Sequence, residues 1–170
     1  MKRLFFALWP DESTRAACAQ LTRQLSDAGR PVTAANLHVT VLFLGHVNEV
    51  QQQAMLLAAR QLKPESMRIC FDRLAYWKKP AIVCLDASAQ TDPNLLSLVD
   101  NLKLAASQNG IAVEQRPYVP HVSLLRKAKF LPPLQFEPII WQSQSFCLVE
   151  SCSTPGGVEY RLLQRWVSQA

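Results

Sequence analysis

The sequence predicts an α+β fold: two lobes of mostly antiparallel sheet, related by a pseudo-twofold, with helices outside and a central cleft. Three observations support it. Helical and strand patterns do not alternate regularly, which disfavours a doubly wound parallel sheet. Turn residues mark two hairpins, at Lys78-Lys79-Pro80 and at Pro155-Gly156-Gly157. The pattern His-x-hydroxyl-aliphatic also occurs twice, as His38-Val39-Thr40-Val41 and His121-Val122-Ser123-Leu124, about half a chain apart. Two similar lobes meeting at one cleft would account for that spacing. A length of 170 residues suits one domain, residues 1–170, and no Gly/Ser-rich linker divides it.

Each element follows from local pattern. Arg3–Trp9 reads as a first strand. Together with Met1-Lys2 it superficially resembles a secretion signal, but the apolar run is short and Pro10-Asp11-Glu12 follows where a small-residue cleavage site belongs. The expected location is the cytoplasm. Asp11-Glu12-Ser13 opens a helix running to about Ala28, with Leu21 and Leu25 on its apolar stripe, and Gly29-Arg30-Pro31 ends it. Leu37–Leu44 is the first motif strand, and a helix from about Glu49 to Gln61 stops before Pro64. Strands over about Met67–Trp77 and Ala81–Asp86 form the first hairpin. A helix from about Pro93 to Asn109 carries Leu95, Leu98, Val99, Leu102 and Ala106 at helical spacing, and Asn109-Gly110 ends it. Tyr118–Leu125 is the second motif strand. Pro132-Pro133 and Pro138 mark a loop before the closing strands, about Ser143–Ser151 and Val158–Val167.

Composition excludes some classes. With 49% apolar and 18% charged residues the chain is an ordinary globular protein, and its longest apolar stretches are strand-sized, too short for a membrane helix. The five cysteines are scattered without the spacing of a zinc site, and are expected to be reduced, buried or half-buried thiols. A net charge of +5 fits an anionic partner only weakly. Arg126-Lys127-Ala128-Lys129 adds local positive charge directly after the second motif.

In a strand, residues i and i+2 share a face, so His38 points with Thr40 and His121 with Ser123. Imidazole, with an ordinary pKa of roughly 6.5, serves as acid or base near neutrality. Two imidazoles flanking a phosphodiester would let one take a proton from water while the other protonates the leaving oxygen. The two hydroxyls would donate to the non-bridging phosphate oxygens. No carboxylate cluster accompanies either motif to hold magnesium, so metal-free chemistry is expected. A lone histidine in a strand is usually a packing residue; the paired context points instead to one shared site. His46, beyond Gly45, is expected in a surface loop.

The segments Asn36-Leu37-His38-Val39-Thr40-Val41-Leu42-Phe43-Leu44-Gly45 and Arg116-Pro117-Tyr118-Val119-Pro120-His121-Val122-Ser123-Leu124-Leu125-Arg126 look like the two signatures of the two-histidine phosphoesterase superfamily. More narrowly, they resemble the bacterial RNA 2′,3′-cyclic phosphodiesterases, historically called 2′-5′ RNA ligases. Arg3-Leu4-Phe5-Phe6-Ala7-Leu8, Leu148-Val149-Glu150-Ser151, Gly156-Gly157 and Tyr160 match that family's pattern too, so the likeness spans the chain. Val41 stands where leucine is usual and Ser123 where threonine is commoner; both keep the chemical character.

The resemblance implies hydrolysis of a 2′,3′-cyclic phosphate on RNA or a nucleotide to the 2′-phosphomonoester, and joining of RNA ends through a 2′-5′ bond. It implies His38 as proton donor, His121 as proton acceptor, and Thr40 and Ser123 on the phosphate. Arg126 and Phe5 are candidates for substrate binding. Strand parity turns Arg126 away unless the strand bulges, and packing competes for Phe5. No cofactor is implied, and a monomer away from membranes is expected. Two alternatives stay open: an RNA-end or tRNA-binding protein without significant turnover, and a cyclic phosphodiesterase acting on another small molecule such as ADP-ribose cyclic phosphate.

Overall fold

The computed structural model describes residues 1–168. Its elements are β1 (Lys2–Leu8), α1 (Glu12–Gln24), β2 (Arg30–Pro31), β3 (Val39–Val47), α2 (Glu49–Gln61), β4 (Met67–Phe71), β5 (Arg73–Trp77), β6 (Ile82–Asp86), α3 (Pro93–Gln108), β7 (Val122–Arg126), β8 (Ile139–Ser143), β9 (Ser145–Thr154) and β10 (Gly157–Val167). Capping chemistry sets the helix starts. Asp11 accepts from the Thr14 amide, Asn48 and Gln51 form a reciprocal capping box, and Asp92 caps α3 with Pro93 in its first turn.

Every strand pairing is antiparallel. One four-stranded sheet has the order β10-β9-β1-β3, another has β2-β7-β6-β5, and β4 pairs with β8 in a small third sheet. The expected α+β architecture is therefore present. The unit β1-α1-β3 has the same plan as β6-α3-β7: two adjacent antiparallel strands joined through a helix, the second bearing a motif.

The two lobes are not the two halves of the chain. The long strand expected over Met67–Trp77 is broken at Asp72, and its parts enter different sheets: β4 pairs with β8, while β5 pairs with β6. The expected loop after Pro138 instead holds a further strand, β8, in the small sheet, and the closing strand expected from Ser143 starts only at Ser145, as β9 beside β1. The first half lends β2 and β5 to the sheet of β7, and the second half lends β9 and β10 to the sheet of β3.

Smaller differences have local causes. Helix α1 stops at Gln24 and only a short 3₁₀ turn, Ser26–Ala28, continues toward Gly29. Strand β3 does not end at Gly45, whose φ of 73° lets it bulge and run on to Val47, so His46 lies in the strand, exposed and opposite Arg3 rather than in a loop. Both motif histidines sit one residue ahead of their strands.

One apolar cluster links the lobes. It joins Leu4, Phe6 and Leu8 of β1, Val39, Val41, Leu42 and Leu44 of β3, Val83 and Leu85 of β6, and Val122, Leu124 and Leu125 of β7 to the inner faces of the helices. A second, small cluster of Phe5, Ala7, Cys147 and Val149 lies on the other face of the first sheet, with Trp9 and Tyr160 packed against it. That second face forms one wall of the cleft.

Gly29 fixes how closely the chain after α1 approaches the end of β7. A Cβ there would lie 2.9 Å from both the Arg126 carbonyl oxygen and the Ala128 Cα, and neither backbone atom can swing aside. Gly29→Ala is therefore expected to destabilise the protein by about 1–3 kcal/mol. Urea denaturation reads this as a lower midpoint with unchanged m value.

Candidate active site

The backbone ahead of each motif orients its histidine. His38 Nδ1 lies 2.7 Å from the Asn36 carbonyl oxygen, and His121 Nδ1 lies 2.9 Å from that of Val119. A carbonyl only accepts, so in each ring Nδ1 carries the proton and Nε2 is the free nitrogen. His38 Nε2 is 3.0 Å from Thr40 Oγ1; with Nε2 unprotonated, the hydroxyl donates. His121 Nε2 has no partner among the described residues.

Different neighbours surround the two rings. His38 sits among Phe5, Trp9 and Tyr160, with ring centroids 5.0, 5.8 and 5.2 Å away. Burial in this aromatic surround is the main force pushing its pKa down to about 4, and positive charge on His121 and Arg126 adds to it. His121 packs on Trp77 at 4.5 Å. Burial depresses its pKa as well, but the Val119 carbonyl and the Asp86 carboxylate oppose the shift. The register Leu85↔Val122, carried one residue further, sets Asp86 beside His121. Asp86 is itself held by Arg73, whose Nη2 donates to it at 2.8 Å.

Contacts across the cleft bring the motifs together. The Tyr118 hydroxyl, three residues before His121, donates to the Thr40 carbonyl oxygen at 2.7 Å. β3 is an edge strand, so this carbonyl is open on the side facing the second lobe. Arg126 Nη2 approaches the Tyr160 hydroxyl at 3.4 Å, a long contact.

Residues 8–84 match the family model described as LigT like Phosphoesterase. An RNA 2′,3′-cyclic phosphodiesterase of Escherichia coli K12 is 31% identical over 97% of this chain and 96% of its own. The chain belongs to the LigT-like phosphoesterase family, within the two-histidine superfamily. A Thermotoga maritima protein of the same name is 25% identical over 95% of this chain and 92% of its own. Among solved structures, Escherichia coli LigT complexed with 3′-AMP superposes with a TM-score of 0.90 at 29% identity, covering 99% of both chains. A Thermus thermophilus protein, TT0787, does so at 0.82 and 25%, covering 97% of both.

In this family member His38 and Thr40 stand at the start of β3, and His121 and Ser123 at the start of β7. Arg126 also reaches the cleft, because β7 bulges: Cys84 pairs with Ser123 but Val83 with Leu125, leaving Leu124 extra and reversing the parity beyond it. Phe43, five residues after His38 as Arg126 is after His121, stands at the matching place on β3 and is 45% exposed. Phe5 is only 3% exposed; it backs the His38 and Tyr160 rings and keeps no open face for a nucleobase.

Sequence reasoning did not single out Trp9, Trp77, Asp86 or the Tyr118 hydroxyl. Trp9 was reachable, since it shares strand parity with Phe5. Trp77 and Asp86 follow only from the pairing of β5, β6 and β7. All five cysteines are free, and burial raises the Cys18 and Cys84 thiols to about 12, which makes them inert. Among the described residues no group of three or more His, Cys, Asp or Glu converges on a point where a metal would sit.

The depressed histidines link stability to pH. The folded protein holds His38 neutral down to about pH 4, whereas the unfolded chain takes the proton near 6.5. Between those values the unfolded state binds more protons, so this contribution is complete above 6.5 and is lost as pH falls toward 4. The urea midpoint should drop on acidification from pH 7 to 5, and should drop less in His38→Asn. An equal drop in both proteins would contradict the neutral, buried imidazole.

Proposed function

We propose that the protein hydrolyses the 2′,3′-cyclic phosphate of RNA ends or nucleotides to a 2′-phosphomonoester, without a metal, with His38 and His121 as general acid and base. The observation that carries this reading is the pair of imidazoles whose Nδ1 atoms are tied to backbone carbonyls, which leaves both Nε2 atoms for chemistry. The name shared by the Escherichia coli and Thermotoga maritima relatives, RNA 2′,3′-cyclic phosphodiesterase, supports the substrate class. The core shared by both lobes supports treating residues 1–170 as one working unit.

His121 Nε2 takes a proton from the attacking water as its oxygen bonds to phosphorus. The bond from phosphorus to the 3′ oxygen breaks, and His38 Nε2–H supplies the proton to that oxygen. The products are a 2′-phosphate and a 3′-hydroxyl, and solvent exchange restores the two rings. Thr40, released from His38, and Ser123 donate to the non-bridging oxygens, where charge accumulates. Arg126 adds positive charge at the same end of the cleft. With a 5′-hydroxyl in place of water, the same displacement joins RNA ends through a 2′-5′ bond.

The surroundings favour this division of labour. The Asp86 carboxylate strengthens His121 as a base. His38, in its aromatic surround and near Arg126, holds a proton weakly and is the stronger acid once it has one. The anionic substrate supplies the compensation that lets it be protonated.

His38→Ala and His121→Ala should each lower kcat by about 10²–10⁴-fold. Since both histidines are depressed in the free protein, kcat/KM should follow a bell with its optimum on the acid side of 6.5. The kcat profile should lie at higher pH, because a bound phosphate anion favours the protonated rings. Phosphorus NMR of adenosine 2′,3′-cyclic phosphate incubated with the protein in chelator should show the 2′-phosphate alone. A 3′-phosphate product, or turnover only on adding a divalent metal, would contradict the reading.

A further inference from the structure

The pairing of β2 with β7 sets Arg30 directly opposite Arg126, so two guanidinium side chains leave the same face of the sheet side by side. Like charges placed this way repel unless an anion joins them. The ion pairs among the described residues are Lys2–Glu150, Arg73–Asp86, Arg116–Glu114 and Arg161–Glu159, and none includes Arg30 or Arg126. Both arginines are exposed.

Both side chains also reach the β9–β10 hairpin across the cleft. Arg126 Nη2 is 3.4 Å from the Tyr160 hydroxyl, while Arg30 Nη2 lies 3.9 Å from where a Cβ would stand on Gly157. The hairpin is also tied by Asn36, whose Nδ2 donates to the Val158 carbonyl oxygen at 3.0 Å. The Tyr160 ring centroid is 5.2 Å from that of His38, and Gly157 lies three residues earlier, at the turn end of β10. Arg126 therefore stands next to the histidines and Arg30 beyond it. The Arg30 guanidinium thus comes within van der Waals reach of the start of β10.

We propose that Arg30 and Arg126 form a second anion subsite that takes the phosphodiester on the 5′ side of the terminal nucleotide. The substrate class is then an oligoribonucleotide ending in a 2′,3′-cyclic phosphate, in preference to a free nucleoside 2′,3′-cyclic phosphate. The cyclic phosphate occupies the histidine site, and the next phosphate along the strand reaches the arginine pair, with Arg126 between the two. Guanidinium groups suit this role because they stay charged and offer paired N–H donors to phosphate oxygens. The inference rests on the cyclic phosphodiesterase reading.

Two measurements test it separately from that reading. The first compares kcat/KM for a dinucleotide ending in 2′,3′-cyclic phosphate with that for the nucleoside 2′,3′-cyclic phosphate. The wild type should favour the dinucleotide through KM by about tenfold or more, and Arg30→Ala should remove most of that preference, with Arg30→Lys retaining part. The second requires no turnover: calorimetry of adenosine 3′,5′-bisphosphate against adenosine 3′-monophosphate. The bisphosphate should bind about tenfold tighter to the wild type, and the advantage should disappear in Arg30→Ala. Equal affinity of the two ligands for the wild type would overturn the subsite, as would an Arg30→Ala protein that weakens both alike. Failure to turn over any cyclic phosphate while the bisphosphate advantage persists would instead count against the catalytic reading alone.

Discussion

In β3 the first residue without a partner across the ladder is Val41, and in β7 it is Leu124; each directly follows the hydroxyl residue of its motif. Opposite faces normally alternate along a strand, but one inserted residue sends two neighbours to the same side. Val41 with Leu42, and Leu124 with Leu125, therefore both enter the core. The cleft receives the histidine, the hydroxyl and then the fifth residue after the histidine, Phe43 on one side and Arg126 on the other. Without the bulges each strand would present its fifth residue to the core face, and the guanidinium of Arg126 would be lost from the site.

A second constraint keeps the two motifs at a fixed separation. Because β5 and β9 each cross into the other half's lobe, neither half can close its sheet without the other. Tyr118 adds a direct tie by capping the open carbonyl of Thr40 on the edge of β3. Burial raises the pKa of its phenol, so it remains a neutral donor across the working pH range. Such a hydrogen bond contributes about 1 kcal/mol to stability, a small term beside the shared core. Its value lies in geometry, since it joins the loop that orients His121 to the strand that follows His38.

Much of this was legible in the chain. The doubled motif, the helix caps and the hairpin turns gave the elements and the two histidines, because those signals depend on neighbours within four residues. The break at Asp72 was not legible, since an apolar strand reads the same whether it stays in one sheet or crosses to another, and β8 was hidden directly behind the prolines that mark a loop. Arg126 shows the limit most clearly: simple parity turned it away, and the doublet Leu124-Leu125 was the only local sign of a bulge. Asp86 and Trp77 carry no local signal at all, as their place beside His121 comes from strand pairing over tens of residues.

The unequal surroundings of the histidines make the account testable at its centre. His38 stands in an aromatic surround near Arg126, while His121 stands beside a carboxylate. A donor histidine is needed only when the leaving atom requires a proton, and sulfur leaves as a thiolate without one. The decisive measurement is turnover of a 2′,3′-cyclic phosphate carrying sulfur in place of the 3′ oxygen. The account predicts that His38→Ala recovers most of its lost rate on this substrate while His121→Ala remains slow. Recovery by His121→Ala instead, or by neither variant, would contradict it.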